Sequence, residues 1–231
     1  GEAGPGHHGQ APPDRRLTPE RRRRSFPLPS VAPRLILASA SPRRADLLRQ
    51  LGLPFEVIPS EIEEAWPPGP PREAVTTLAL AKARAVARGL RSAVVLGADT
   101  AVVLAGEVFG KPESPEDARR MLRALRGREH EVITGVALVE APAGREETVA
   151  VVSRVLMREY SEAEVEAYVG SGEPFDKAGA YAVQAAGGAL VAKVDGCYTN
   201  VVGLPLTTTR RLLEAAGVRL AYLRRGDETT S

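Results

Sequence analysis

The chain has 231 residues, 43% of them hydrophobic and 26% charged, a balance that excludes a wholly disordered protein and suffices for one well-buried core or two small lobes sharing a cleft. Its single cysteine, Cys197, excludes an internal disulfide and a multi-cysteine metal site, and His130 is the one histidine beyond residue 33, which leaves little for a Ser-His-Asp hydrolase or a multi-histidine metal centre. The net charge of +2 is unevenly placed: residues 1–33 hold six arginines against three carboxylates, so the remainder carries −1 and lacks the broad basic surface of a nucleic-acid binder.

Residues 1–33 are rich in Gly, Pro and Arg and show no apolar period, so they read as a disordered tail whose run Arg21 to Arg24 is a solvated extension sooner than a targeting signal. No apolar run approaches the roughly 20 residues that cross a bilayer, and the N-terminal stretch has no apolar signal core. These features predict a cytoplasmic protein with no membrane contact. The folded region is expected over 34–224, with a frayed end at 225–231.

From Arg34 the segment RLILAS predicts a short strand, and Ser41 with Pro42 stands where an N-cap and a first helical residue belong. The helix ADLLRQLG ends at Gly52. FEVIPS is a second strand, Arg72 to Leu90 a long Ala-rich helix, and AVVLGADTAVVL a strand pair or one long bent strand. Ser114 and Pro115 open the helix EDARRMLRALRG, which Gly127 closes. HEVITGVALVE and ETVAVVSRVLMREY then form an antiparallel hairpin, so the sheet is mixed. Ser161 and Glu164 carry a capping-box signature for a helix through Tyr168. A turn at Gly179 is expected to lead into a strand, and LVAKV and TTTRRLLEAAG close the chain as strand and helix. The result is an α/β fold, a mixed twisted sheet with flanking helices.

Three segments place polar residues where core building does not ask for them. In SASPRR, the helix N-terminus beyond Ser39 and Ser41 offers free N–H groups, and Arg43 and Arg44 add bidentate cations, so the turn suits phosphate. A capped helix with surface arginines explains the motif equally well. In GADTAV, Asp99 and Thr100 interrupt a Val-rich strand; a carboxylate there binds a cation, lines a cleft or ends a turn. Glu63 and Glu64 are candidates to join Asp99 around a hard cation, or else belong to a solvated loop. In DKAGAYAVQ, Asp176, Lys177 and Gln184 surround Gly179, and the Gln184 amide fits a pyrimidine edge or a water-facing sheet edge. Lys82 and Lys111 are further cation candidates, neither of them in a P-loop.

Taken together these segments resemble the Maf family. The likeness runs from about Leu35 to Gly217 through LASASPRR, EIEE, LALAKA, LGADTAV, the GKP turn, RGREHEVITGVAL, SGEPFDKAGAYAVQ and NVVGLPL, in the family's order. It implies an elongated α/β fold with two lobes around a deep cleft, similar to the inosine triphosphate pyrophosphatases. It also implies hydrolysis of nucleoside triphosphates to monophosphate and pyrophosphate, with Asp99 as the catalytic proton acceptor. Arg43, Thr100 and Gln184 match positions associated with substrate choice in the dTTP/UTP branch. Ala182 and Ala185 stand where that branch commonly has glycine, which bears on fine specificity.

On this reading Arg43, Arg44, Lys82 and Lys111 meet the leaving phosphates, Lys177 adds a further cation, and Glu64 with Asp99 holds Mg²⁺, Mn²⁺ or a similar ion. The rival is a non-catalytic regulator, which has no need of a water-activating carboxylate. Monomer and homodimer both stay open.

Overall fold

The computed structural model describes residues 33–142 and 144–219. The expected tail, apart from Pro33, and the expected frayed end both lie outside these residues. The described elements are β1 (Arg34–Leu37), α1 (Pro42–Arg49), β2 (Glu56–Val57), α2 (Pro71–Ala87), β3 (Ala93–Leu104), β4 (Glu107–Phe109), α3 (Pro115–Leu125), β5 (Glu129–Ala141), β6 (Glu146–Met157), α4 (Glu162–Gly170), β7 (Val191–Asp195), α5 (Tyr198–Val202) and α6 (Leu206–Ala215). The strands form one mixed sheet in the order β2-β1-β3-β5-β6-β7, with β4 also on β3. β1 runs parallel to β2 and β3, and every other pairing is antiparallel.

Local signals set most boundaries. Ser41 precedes Pro42 at the start of α1, Ser114 accepts from Asp117 N at the start of α3, and Ser161 and Glu164 complete a capping box on α4. AVVLGADTAVVL is a single strand of 12 residues, β3. The strand β4 is absent from the pattern-based reading because it is short; it folds back through Ala105 and Gly106, whose φ angles of 51° and 87° make a tight hairpin turn. α5, a single short helical stretch, is likewise not foreseen. The strand expected after Gly179 does not form: Ala178–Ala180 and Ala185–Leu190 are 3₁₀ turns, and the residues between them pair with no strand. Positive φ at Gly179, Ala180 and Ala185 breaks the extended run.

Each face of the sheet carries its own helices. On one face lie Val95, Ala137 and Val139 under α2, whose Val75, Ala79 and Ala83 are fully buried. The close approach depends on two glycines: a Cβ on Gly97 would fall 2.2 Å from Ala79 O, and one on Gly135 would fall 2.4 Å from the Val75 backbone. The opposite face holds two apolar clusters. Leu96, Ala98, Val136 and Leu138 pack with α1 and α6, whereas Val102, Leu104, Val132, Val155 and Met157 pack with α3 and α4. Between them run the polar residues Thr100 and Thr134, paired directly on β3 and β5, with Ser153 on β6 opposite Val132. These two cores are the two lobes; of the polar band between them Thr134 and Ser153 are buried.

Candidate active site

The site arises from a change of partner along β3. β1 pairs with β3 as far as Leu96, and β4 pairs with it only from Val102 onward. Residues 97–101 therefore have β5 on one side and no strand on the other. Asp99 and Thr100 fall in this gap and point to opposite faces of the sheet, yet both reach the cleft because it opens at the gap.

The cleft has a volume of about 850 Å³, ample for a drug-sized or nucleotide-sized ligand. Its lining includes Ser39, Ser41, Arg43, Arg44, Glu64, Lys82, Asp99, Thr100, Lys111, Lys177 and Gln184, so all but one of the predicted site residues come together there. Glu63 does not: it is exposed and absent from the lining, and Glu64 alone represents the acidic pair.

At the cleft floor Lys82 occupies the buried stripe of α2 with Val75, Leu78, Ala79 and Ala83. Its Nζ lies 2.7 Å from Asp99 Oδ1 and 2.9 Å from Glu64 Oε1. A buried ammonium is tolerated there because two carboxylates share it. Burial works to raise the Glu64 carboxyl, but the Lys82 hydrogen bond and charge, with Lys111 and Arg44 nearby, outweigh it and hold the group below its ordinary value. Glu64 and Asp99 thus converge oxygen donors on one cationic point. That donor set, open to a roomy cleft, fits an ion such as Mg²⁺, which takes one or two carboxylates together with substrate phosphate oxygens. Among the described residues no group of three or more His, Cys, Asp and Glu side chains could hold a metal by itself.

The two arginines of SASPRR do different things. Arg44 Nε donates to Gly203 O at 2.9 Å, Nη1 to Ser39 Oγ at 3.3 Å and Nη2 to Thr100 Oγ1 at 3.0 Å. Burial pushes its guanidinium pKa down, with Asp99 and Glu64 opposing. Arg43 instead reaches across the cleft, Nη1 lying 2.7 Å from Asp176 Oδ2. Burial works to raise the Asp176 carboxyl, and hydrogen bonds from Lys177 and Arg43 bring it below its ordinary value. Gly179 seats this segment: its N–H donates to Gly110 O at 2.9 Å, which puts Lys177 and Lys111 on one wall.

Sequence reading did not single out four further residues. Trp66, 41% exposed, and Tyr181 line the cleft, and Thr134 and Asn200 lie fully buried beneath it. Asn200 stood in the motif NVVGLPL without a role, and Thr134 within a strand pattern that did not reveal its partner.

An α/β sheet whose strand gap opens on converging lysines, arginines and carboxylates offers a charge arrangement that suits a polyphosphate. The chain belongs to the Maf family: residues 34–216 match the family described as Maf-like protein. It is 55% identical over 186 residues to a dTTP/UTP pyrophosphatase of Moorella thermoacetica, covering 80% of this chain and 96% of that protein. Likeness to proteins of the same name extends to Anaeromyxobacter dehalogenans, 53% identical over 83% of this chain and 98% of the relative, and to Dictyoglomus thermophilum, 48% identical over 80% and 97%. The family read from the motifs is thereby borne out. Among the described residues no helix is long and apolar enough to cross a membrane.

Proposed function

We propose that this chain is a nucleoside triphosphate pyrophosphatase that hydrolyses dTTP and UTP to the nucleoside monophosphate and pyrophosphate. The observation that carries the reading is the Asp99, Lys82 and Glu64 constellation on the cleft floor, in a chain that shares about half its residues with relatives bearing that name.

The chemistry follows from the charges. A triphosphate entering the cleft meets Lys82, Lys111, Arg43 and Arg44, which neutralise its phosphates and hold it in place. Asp99 has Oδ1 tied to Lys82, which fixes the carboxylate so that Oδ2 takes the proton of an attacking water. The water oxygen bonds to the α-phosphorus, the bond to the bridging oxygen breaks, and its electron pair leaves with pyrophosphate. Glu64 and Asp99 would hold a divalent ion, which would supply charge neutralisation for the phosphates. Gln184 and Thr100 face the base end and set the choice of nucleotide. The reading places the enzyme in the cytoplasm, among free nucleoside triphosphates.

The test is Asp99→Asn, which keeps size and one acceptor oxygen but removes the charge that takes a proton. Pyrophosphate release from UTP is expected to fall about 10²–10⁴-fold while nucleotide still binds. A folded variant that turns over near the parent rate overturns the proposal.

A further inference from the structure

The polar band beneath the cleft has an assignable direction. Thr134 is fully buried, and its Oγ1 lies 3.0 Å from Asn200 O, a carbonyl that can only accept. The single Thr134 proton is therefore spent on Asn200 O. Thr134 Oγ1 also lies 3.0 Å from Thr100 Oγ1, and having no second proton it accepts there, so Thr100 is the donor. Arg44 Nη2 donates to Thr100 Oγ1 at 3.0 Å, which fills one of its two lone pairs. The capacity that Thr100 has left is one acceptor site, and Thr100 lines the cleft.

The carbonyl that anchors this chain is itself pinned. Asn200 Nδ2 donates to Val132 O and to Ser153 Oγ, each at 3.0 Å, and Ser153 Oγ in turn donates to Cys197 O and accepts from Cys197 N. α5 is thus fastened to β5 and β6, and Asn200 O has no freedom to swing away and release the Thr134 proton.

We propose that Thr134 is a specificity-positioning residue: by consuming the Thr100 proton it makes Thr100 an acceptor only, which selects the imide N3–H that uracil and thymine share. This rests on the reading of the chain as a dTTP/UTP pyrophosphatase. Cytosine presents a lone pair at the same ring position, so two acceptors would face each other in a desolvated cleft. A sugar hydroxyl both donates and accepts and so cannot exploit a fixed polarity, which makes the imide the discriminating partner.

The test compares kcat/KM for UTP and CTP in the parent, Thr134→Val and Thr134→Ser. Valine matches threonine in shape but cannot accept, so the Thr100 hydroxyl is freed to turn its proton toward the cleft. The UTP-to-CTP ratio is expected to narrow roughly tenfold in Thr134→Val and to recover in Thr134→Ser. A merely structural role lowers both substrates together and leaves the ratio in place, and that result overturns the proposal. Thr100→Val, at the partly buried cleft end of the chain, is expected to give the same narrowing independently of how the buried site tolerates change. A parent that fails to release pyrophosphate from UTP defeats the underlying activity instead, and so is distinguished from an unchanged ratio.

Discussion

Lys82 Nζ lies 2.7 Å from Asp99 Oδ1, with 6% and 10% of the two side chains exposed. At this burial the pair is worth more in its breaking than in its making, because removing one partner strands a desolvated charge. Lys82→Met is expected to cost about 3 kcal/mol of stability together with most of the activity. Adding Asp99→Asn should restore much of the stability and none of the activity. Chemical denaturation and pyrophosphate assays on the single and double variants check both halves; activity in the double variant would detach the pair from catalysis.

Metal removal tests the carboxylate pair from the other side. A triphosphate brought to Glu64 and Asp99 without a divalent ion meets like charge, which Lys82 between the two carboxylates only partly offsets. Turnover is expected to cease in excess EDTA and to return with Mg²⁺ or Mn²⁺. Glu64→Gln should raise the Mg²⁺ concentration needed for half-maximal rate, and full turnover in EDTA would remove the metal from the account.

Gly97 is where α2 presses on β3, and any side chain there collides with the Ala79 carbonyl. Gly97→Ala is expected to lose about 1–3 kcal/mol and to lift Lys82 from Asp99, so kcat should fall alongside Tm. Gly89, whose Cβ would meet open space, serves as the control: Gly89→Ala should leave both unchanged.

His130 gives a pH dependence whose sign can be worked out. Burial lowers its pKa from 6.5 to about 4, so below pH 6.5 the unfolded chain takes up a proton that the folded chain refuses. The stability it contributes is whole above the unfolded value and drains away as pH falls toward 4, by about 3 kcal/mol in all at 1.36 kcal/mol per unit. His130→Gln should flatten that part of the profile, read as the change in Tm between pH 7 and pH 5 relative to the parent. An equal change in both proteins would show that carboxylates alone set the acid limb.

Elements with strong local chemistry are legible in the sequence: α3 and α4 through their Ser caps, α1 through Pro42 at its first turn although the Ser41 side chain makes no capping bond, and the β5–β6 hairpin through its turn, whereas AVVLGADTAVVL left one strand or two open until β3 formed as one. The sequence also drew attention to residues that prove to line the cleft, because Asp99 in an apolar strand and paired arginines at a helix start have no core-building purpose. Which of these residues meet is settled by long-range contacts. Lys82 was a cation candidate in an alanine-rich helix without a known partner until α2 docked over Gly97 and Gly135 and brought it to Asp99. Thr134 looked like an ordinary strand threonine until the register set it opposite Thr100. Arg44 and Gly203 are 159 positions apart and touch in the cleft wall. Caps and turns are fixed by neighbours within a few residues, whereas register, helix docking and the direction of a buried hydrogen-bond chain depend on contacts between distant segments, which no local pattern encodes.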